Sequence, residues 1–98
     1  MIQIELKDIN GDEVRVTEAY EHNDFFAVHI GTGGWVLTHI PTGCSAGPAT
    51  RTKREAKERA EKLMETGVDW SLDDWAMLRE DRHWMVAVSV ARGEGEDA

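Results

Sequence analysis

The sequence predicts an α+β fold in which an antiparallel sheet of two β-hairpins packs against helices. Three observations indicate it: apolar and polar residues alternate over residues 2–16 and 25–40, a helix-capping motif begins at Thr52, and a second helix start follows at Ser71. With 98 residues the chain is long enough for one core and too short for two. We therefore expect a single domain over residues 1–92 with about four strands.

The first hairpin covers residues 2–16. A three-residue loop over residues 9–11 would pair Leu6 with Val14 and keep the aliphatic residues on one face. A two-residue turn would instead set Leu6 opposite Arg15, which buries charge among aliphatic side chains. We therefore expect the three-residue loop, with a polar connector over residues 18–24 after the hairpin.

The second hairpin joins residues 25–30 to residues 35–40 through the glycine-rich turn 31–34. Setting Ile30 opposite Trp35 gathers the large side chains on one face: Phe26, Val28, Ile30, Trp35, Leu37 and His39. We expect a helix to pack on the sheet.

The first helix is marked by a capping box, Thr52 and Glu55. It is expected to be amphipathic over about residues 53–66, because a narrow apolar stripe follows the cap and Gly67 is placed to end it.

A second helical segment is predicted over residues 72–92, because Ser71 can cap it and acids follow in its first turn. Its last part, residues 84–91, fits two structures. Alternating valines favour a strand, whereas the nearby helix start favours a helix. We expect residues 93–98 to form a disordered acidic tail.

The formal net charge of −8 is unevenly distributed. Residues 1–50 carry seven acids and two bases, residues 51–62 carry three acids and six bases, and residues 63–98 carry nine acids and three bases. The overall field repels a phosphate backbone and attracts a basic surface. This distribution favours a protein partner with a basic surface and makes nucleic acid an unfavourable one.

The expected location is the cytoplasm. Cys44 is the single cysteine, so no intramolecular disulfide can form and a reducing compartment is indicated. The N-terminus alternates apolar and polar residues and does not have the pattern of a signal peptide, and no apolar run is long enough for a membrane span.

No catalytic or metal-binding pattern fits well, so we expect neither an enzyme nor a cofactor. Residues 43–47 match G-x-S-x-G, but Pro48 follows where a nucleophile elbow needs a helix. The four histidines, His22, His29, His39 and His83, lack the short spacing of metal ligands. An unrecognised small site around His39, Cys44 and Ser45 remains the enzyme alternative.

Candidate binding residues lie in two segments. The chain after residue 69 combines tryptophans with acids, as protein interfaces do, and its candidates are Trp70, Asp73, Asp74, Trp75, Asp81 and Trp84. The alternative is a nucleic-acid interface on the basic helix 51–62, formed by Arg54, Lys57 and Arg59. Acids at four-residue spacing from these bases favour instead a self-neutralising, solvated helix face.

The segment Trp35-Val36-Leu37-Thr38-His39-Ile40-Pro41-Thr42-Gly43, followed by Thr52-Lys53-Arg54-Glu55-Ala56, resembles a pattern found in small phage and prophage accessory proteins. The resemblance covers about a third of the chain and implies a small acidic protein that acts on host machinery, by occupying a protein surface or by mimicking the charge of nucleic acid. It assigns no residue a role. Together with the charge distribution, it leads us to expect a non-enzymatic acidic interaction domain.

Overall fold

The alternating residues of the N-terminal half form antiparallel strands in a computed structural model, which describes residues 1–7 and 14–92. Within these residues, each strand pairs with the next in sequence order: β1 (Ile2–Lys7), β2 (Val14–Glu21), β3 (Phe26–Gly31), β4 (Gly34–His39) and the short β5 (Cys44–Ser45). Helices pack on the sheet, so the predicted α+β fold is confirmed. The expected loop at residues 9–11 and the expected tail at residues 93–98 lie outside the described residues.

The pairing of β3 with β4 follows the predicted register, with Ile30 opposite Trp35 and Phe26 opposite His39. Phe26, Val28 and Leu37 are fully buried on this face.

The predicted register of β1 and β2 is wrong. Leu6 lies opposite Arg15, the pairing that was expected to be avoided, and Val14 and Val16 are exposed. The reason is that β2 continues to Glu21, through the expected connector, and the residue it buries is Ala19. Because side chains alternate along a strand, an inward Ala19 turns both valines outward.

The sheet curls until its two edges meet. The Lys7 amide of β1 donates a 2.8 Å hydrogen bond to the Gly43 carbonyl, in the turn before β5. Inside the curl, Ile4, Ala19 and Ala27 form a small apolar cluster. The larger core lies on the other face of β3 and β4, under the helices.

The helix α1 (Lys53–Met64) begins as predicted after the Thr52 cap and ends two residues before the predicted end at residue 66. The Thr52 side chain accepts a 3.1 Å hydrogen bond from the Glu55 amide, and Gly67 takes a φ of 90° just beyond the C-terminal end. Ala56, Ala60 and Leu63 form its buried stripe against the sheet.

The expected continuous segment 72–92 is two helices, α2 (Trp75–Arg79) and α3 (Trp84–Arg92). Residues 84–91 are therefore helical. Asp81 explains the break, because its carboxylate accepts hydrogen bonds from the amides of His83 at 2.8 Å and Asp69 at 3.0 Å, which a continuous helix would not allow. None of the helices in the described part of the chain is long and apolar enough to cross a membrane.

Candidate functional site

The tryptophans of the C-terminal half converge on one region. Trp70 is 6% exposed and packs edge-on against Phe26, with ring centroids 5.1 Å apart. The ring centroid of Trp84 lies 6.5 Å from that of Trp70 and 5.2 Å from that of Trp75. The structure thus brings the predicted residues Trp70, Trp75 and Trp84 together; their predicted role in binding a protein stays a prediction.

These rings border a partly open cavity of about 190 Å³ between the sheet edge, α1 and the C-terminal helices. Its wall is mostly apolar. It is formed by His39, Thr42, Cys44, Ser45, Ala46, Gly47, Leu63, Trp70, Trp75, Leu78, Trp84, Ala87, Val88, Ala91 and Arg92. We call it the tryptophan cavity.

His39 lies in the wall of the tryptophan cavity as a neutral imidazole with both nitrogens bonded. Its Nε2 donates to the Trp70 carbonyl at 2.7 Å, so its Nδ1 accepts from the Thr42 hydroxyl at 2.9 Å. Burial lowers the pKa of His39, and the hydrogen bond to the Trp70 carbonyl opposes this effect. His39 therefore joins the sheet to the segment that carries Trp70.

Cys44 lies opposite His39 on the neighbouring strand and is buried as a free thiol. Its Sγ lies 3.8 Å from the Thr42 carbonyl, to which it donates. Ser45 is exposed at the end of β5, and loop residues follow it instead of a helix. Since both nitrogens of His39 are bonded elsewhere, the imidazole would have to give up a hydrogen bond to act as a base for either residue.

Two of the three indoles in the cavity wall, those of Trp70 and Trp75, differ in the partner of their N–H group. Trp70 Nε1 donates to the Leu63 carbonyl at 3.0 Å, whereas Trp75 Nε1 is buried and has no hydrogen-bond partner among the described residues. A buried donor without a partner is unfavourable by about 1–3 kcal/mol.

The predicted acidic residues follow Trp70 on the protein surface. Asp73 is exposed, and Asp74 caps α2 by accepting a 2.8 Å hydrogen bond from the Ala76 amide. Asp81 accepts two hydrogen bonds from backbone amides. These bonds lower the pKa of its carboxyl, and the bond from the His83 amide has the larger effect. Two of the three predicted carboxylates therefore also have structural partners.

Two of the three basic residues of the predicted nucleic-acid interface, Arg54 and Arg59, have partners within the fold. Arg54 pairs with Glu58 at 3.1 Å. Arg59 donates to the carbonyls of Pro48 at 2.6 Å and Ala46 at 3.3 Å, which fastens the loop before α1 to the helix. Lys57, the third residue of the predicted nucleic-acid interface, is half-buried.

The side chains described by the structure contain no group of three or more histidine, cysteine, aspartate or glutamate residues arranged to hold a metal ion. Both nitrogens of His39 take part in hydrogen bonds, so neither has a lone pair left to bind a metal.

No family model, curated protein or solved structure matches the chain. The resemblance to phage accessory proteins stays a prediction.

Sequence reasoning placed His39, Cys44 and Ser45 in one possible site and the tryptophans in another, and it missed that both groups line one cavity. The available signal was the strand register, which placed His39 beside Phe26 on the most apolar face. A histidine on such a face needs partners for both nitrogens. Trp70 supplies one of them from 31 residues away, a distance that local sequence patterns do not reach.

Proposed function

We propose that the protein is a non-enzymatic interaction domain that binds a basic surface of a protein partner. The binding residues belong to an acidic face: Asp69, Asp73, Asp74, Glu80 and Asp81. One observation carries the proposal. Residues 69–81 hold these five acids against the single base Arg79, and all but Asp81 are exposed.

The same segment also carries an exposed apolar side chain. Met77 is 55% exposed on α2, between Asp74 and Glu80 in sequence. Methionine is enriched at protein interfaces because its flexible side chain adapts to different partner surfaces. A partner with lysine or arginine around an apolar patch would complement both features.

The resemblance to phage proteins suggests the form this binding takes. A compact acidic domain can occupy the nucleic-acid-binding surface of a host protein, because its carboxylates present negative charge where phosphates would lie. We propose this charge mimicry as the specific activity. Binding of nucleic acid by α1 is the less favourable alternative, since Arg54 and Arg59 already have partners within the fold.

The test reverses charge without removing the structural carboxylates. Asp73→Lys with Glu80→Lys changes two exposed acids that have no backbone-capping bond to lose in the described structure, unlike Asp74 and Asp81. The matched control, Glu5→Lys with Glu18→Lys, changes two exposed acids on the β1–β2 ribbon. Both double variants bring the net charge from −8 to −4, since each substitution replaces a negative charge by a positive one.

Each of the three proteins is used to capture partners from a host-cell lysate at about 0.15 M salt, and captured proteins are identified by mass spectrometry. We expect a basic protein on the wild type and on the control, and its loss from the Asp73→Lys, Glu80→Lys variant. Its purified complex should weaken steeply as salt rises. Equal capture by all three proteins would rule out the acidic face as the binding surface.

A further inference from the structure

We propose that the tryptophan cavity binds a small monocarboxylate that has one aromatic ring. The ring lies inside the cavity, and the carboxylate lies at the opening beside Arg92. This site is separate from the acidic face that we propose for a protein partner, and its ligand carries the opposite charge to the basic surface of that partner.

The volume of the cavity limits the size of the ligand. An apolar protein cavity of about 150 Å³ accommodates benzene. The tryptophan cavity measures about 190 Å³ and is partly open. It therefore has room for one ring, and a short substituent of that ring can reach the opening.

The interior of the cavity favours an aromatic body. Leu63 and Leu78 supply buried aliphatic surface in the wall. Trp75 and Trp84 stand at 87° with ring centroids 5.2 Å apart, so one ring presents its edge to the face of the other. A ring bound beside them gains aromatic contacts that are favourable beyond the area they bury.

The opening of the cavity carries hydrogen-bond donors. Among the described residues of the wall, Ser45 and Arg92 alone are exposed, and both have polar side chains. They lie on neighbouring parts of the chain, because an added Cβ on Gly47 would collide with the carbonyl oxygen of Ala91. A ligand whose ring enters the cavity therefore leaves its polar group near a hydroxyl and a guanidinium.

Arg92 determines the charge of the ligand. It is the one charged side chain among the described residues of the wall, since burial lowers the pKa of His39 and keeps that residue neutral at neutral pH. A guanidinium has five N–H donors in a planar fork that matches a carboxylate. Arg92 can therefore donate to a ligand carboxylate in addition to the interactions that it makes within the fold.

Two features oppose an anion, which makes the arginine necessary. Arg92 is the last residue of α3, where the helix carbonyls carry partial negative charge. The net charge of −8 also repels anions at long range, although salt at about 0.15 M screens this repulsion beyond about 8 Å. Without the guanidinium, the same cavity should prefer a neutral ligand.

The chain after Arg92 does not supply an equivalent ligand. Its sequence, GEGEDA, contains carboxylates but no aromatic and no large aliphatic side chain. A separate molecule is therefore needed to fill the apolar interior.

The experiment compares probes of similar size and different charge: phenylacetate, phenylacetamide and 2-phenylethylammonium. With 15N-labelled tryptophan, the indole N–H signals of Trp70, Trp75 and Trp84 report on the cavity, and that of Trp35, which packs against Tyr20 outside the wall, is the internal control. At about 0.15 M salt and neutral pH, phenylacetate should shift the cavity signals in a saturable way and leave Trp35 unchanged. It should bind about tenfold more tightly than phenylacetamide, and 2-phenylethylammonium should bind most weakly.

Two matched variants assign this preference to Arg92. Arg92→Gln removes the guanidinium, so phenylacetate should bind no more tightly than phenylacetamide, whose affinity should stay unchanged. Arg51→Gln removes the same charge from a side chain that is 93% exposed and lies outside the wall, and it should keep the preference for phenylacetate. Val88→Phe fills part of the cavity and should abolish binding of both probes; if it unfolds, Arg92→Gln still decides the proposal.

Equal binding of phenylacetate and phenylacetamide to the wild-type protein would overturn the proposal, as would the absence of a saturable shift at the cavity tryptophans. A preference for phenylacetate that survives Arg92→Gln would do the same, because it would place the anion elsewhere. These titrations contain no protein partner, and the charge reversals of the capture experiment do not involve Arg92. The cavity and the acidic face can therefore fail independently.

Discussion

Replacing His39 by leucine will destabilise the protein by an amount that depends on pH. The imidazole is 3% exposed and bonds to the Trp70 carbonyl at 2.7 Å and to the Thr42 hydroxyl at 2.9 Å. Leucine leaves the Trp70 carbonyl without this donor and the Thr42 O–H without this acceptor, although the Thr42 hydroxyl oxygen still accepts from the Cys44 amide at 3.3 Å. The lost partner of the carbonyl costs about 1–3 kcal/mol at neutral pH.

The pH dependence follows from the lowered pKa of His39. Burial holds it below the value of 6.5 that the residue has in an unfolded chain. As the pH falls through 6.5, the unfolded chain takes up a proton that the folded protein does not, so wild-type stability decreases toward the folded pKa. The leucine variant lacks this effect. The stability difference between the two proteins should therefore shrink as the solution is acidified.

Urea unfolding at about pH 7.5 and about pH 5.5, followed by tryptophan fluorescence, measures both effects. The control is His22→Gln, which removes an imidazole that pairs with Glu61 at 3.1 Å outside the core. It should keep the acid-induced loss of stability seen in the wild type. The reasoning fails if His39→Leu loses as much stability on acidification as the wild type does.

Three further outcomes are expected. Asp74→Ala removes the cap of α2 and should lower the free energy of unfolding by about 1 kcal/mol, with Asp73→Ala as a near-neutral control in urea titrations. Gly43→Ala should lower the free energy of unfolding by about 1–3 kcal/mol and so lower the melting temperature measured by calorimetry. Gly43 has a φ of 73°, and an added Cβ would lie 2.6 Å from the Glu5 carbonyl oxygen. The protein should form no complex with single- or double-stranded DNA or RNA at near-physiological salt in fluorescence anisotropy; a saturable complex that Arg54→Glu with Lys57→Glu abolishes, with unchanged circular dichroism, would identify α1 as the functional surface.

The elements predicted best are those whose signals are local. The β3–β4 register follows from alternating residues on both sides of a glycine-rich turn, and α1 follows from the hydroxyl of Thr52 and the carboxyl of Glu55 three positions later. In each case the residues that decide the structure lie within a few positions of one another. The geometry of these elements is therefore specified by nearby residues, although packing against the rest of the chain stabilises them.

The β1–β2 register could not be obtained in the same way. The expected pairing of Leu6 with Val14 maximised local apolar contact, but the sheet buries Ala19 against Ile4 and Ala27 of other strands. Curling brings β1 close to Gly43, and the β2 residue that faces the interior is Ala19, whereas the valines at 14 and 16 were expected to face it. Tertiary packing therefore decided the register against local propensity.

The segment between α1 and α3 explains why the candidate site was only half predicted. Its composition gave the acids and the tryptophans, but its shape depends on distant partners: Leu63 accepts from the Trp70 indole, His39 donates to the Trp70 carbonyl, and Asp81 accepts from the Asp69 amide. These bonds turn Trp70 inward while the adjacent carboxylates stay on the surface. One stretch of chain thus supplies a wall of the tryptophan cavity and the acidic face, and these two surfaces can be changed separately because different side chains form them.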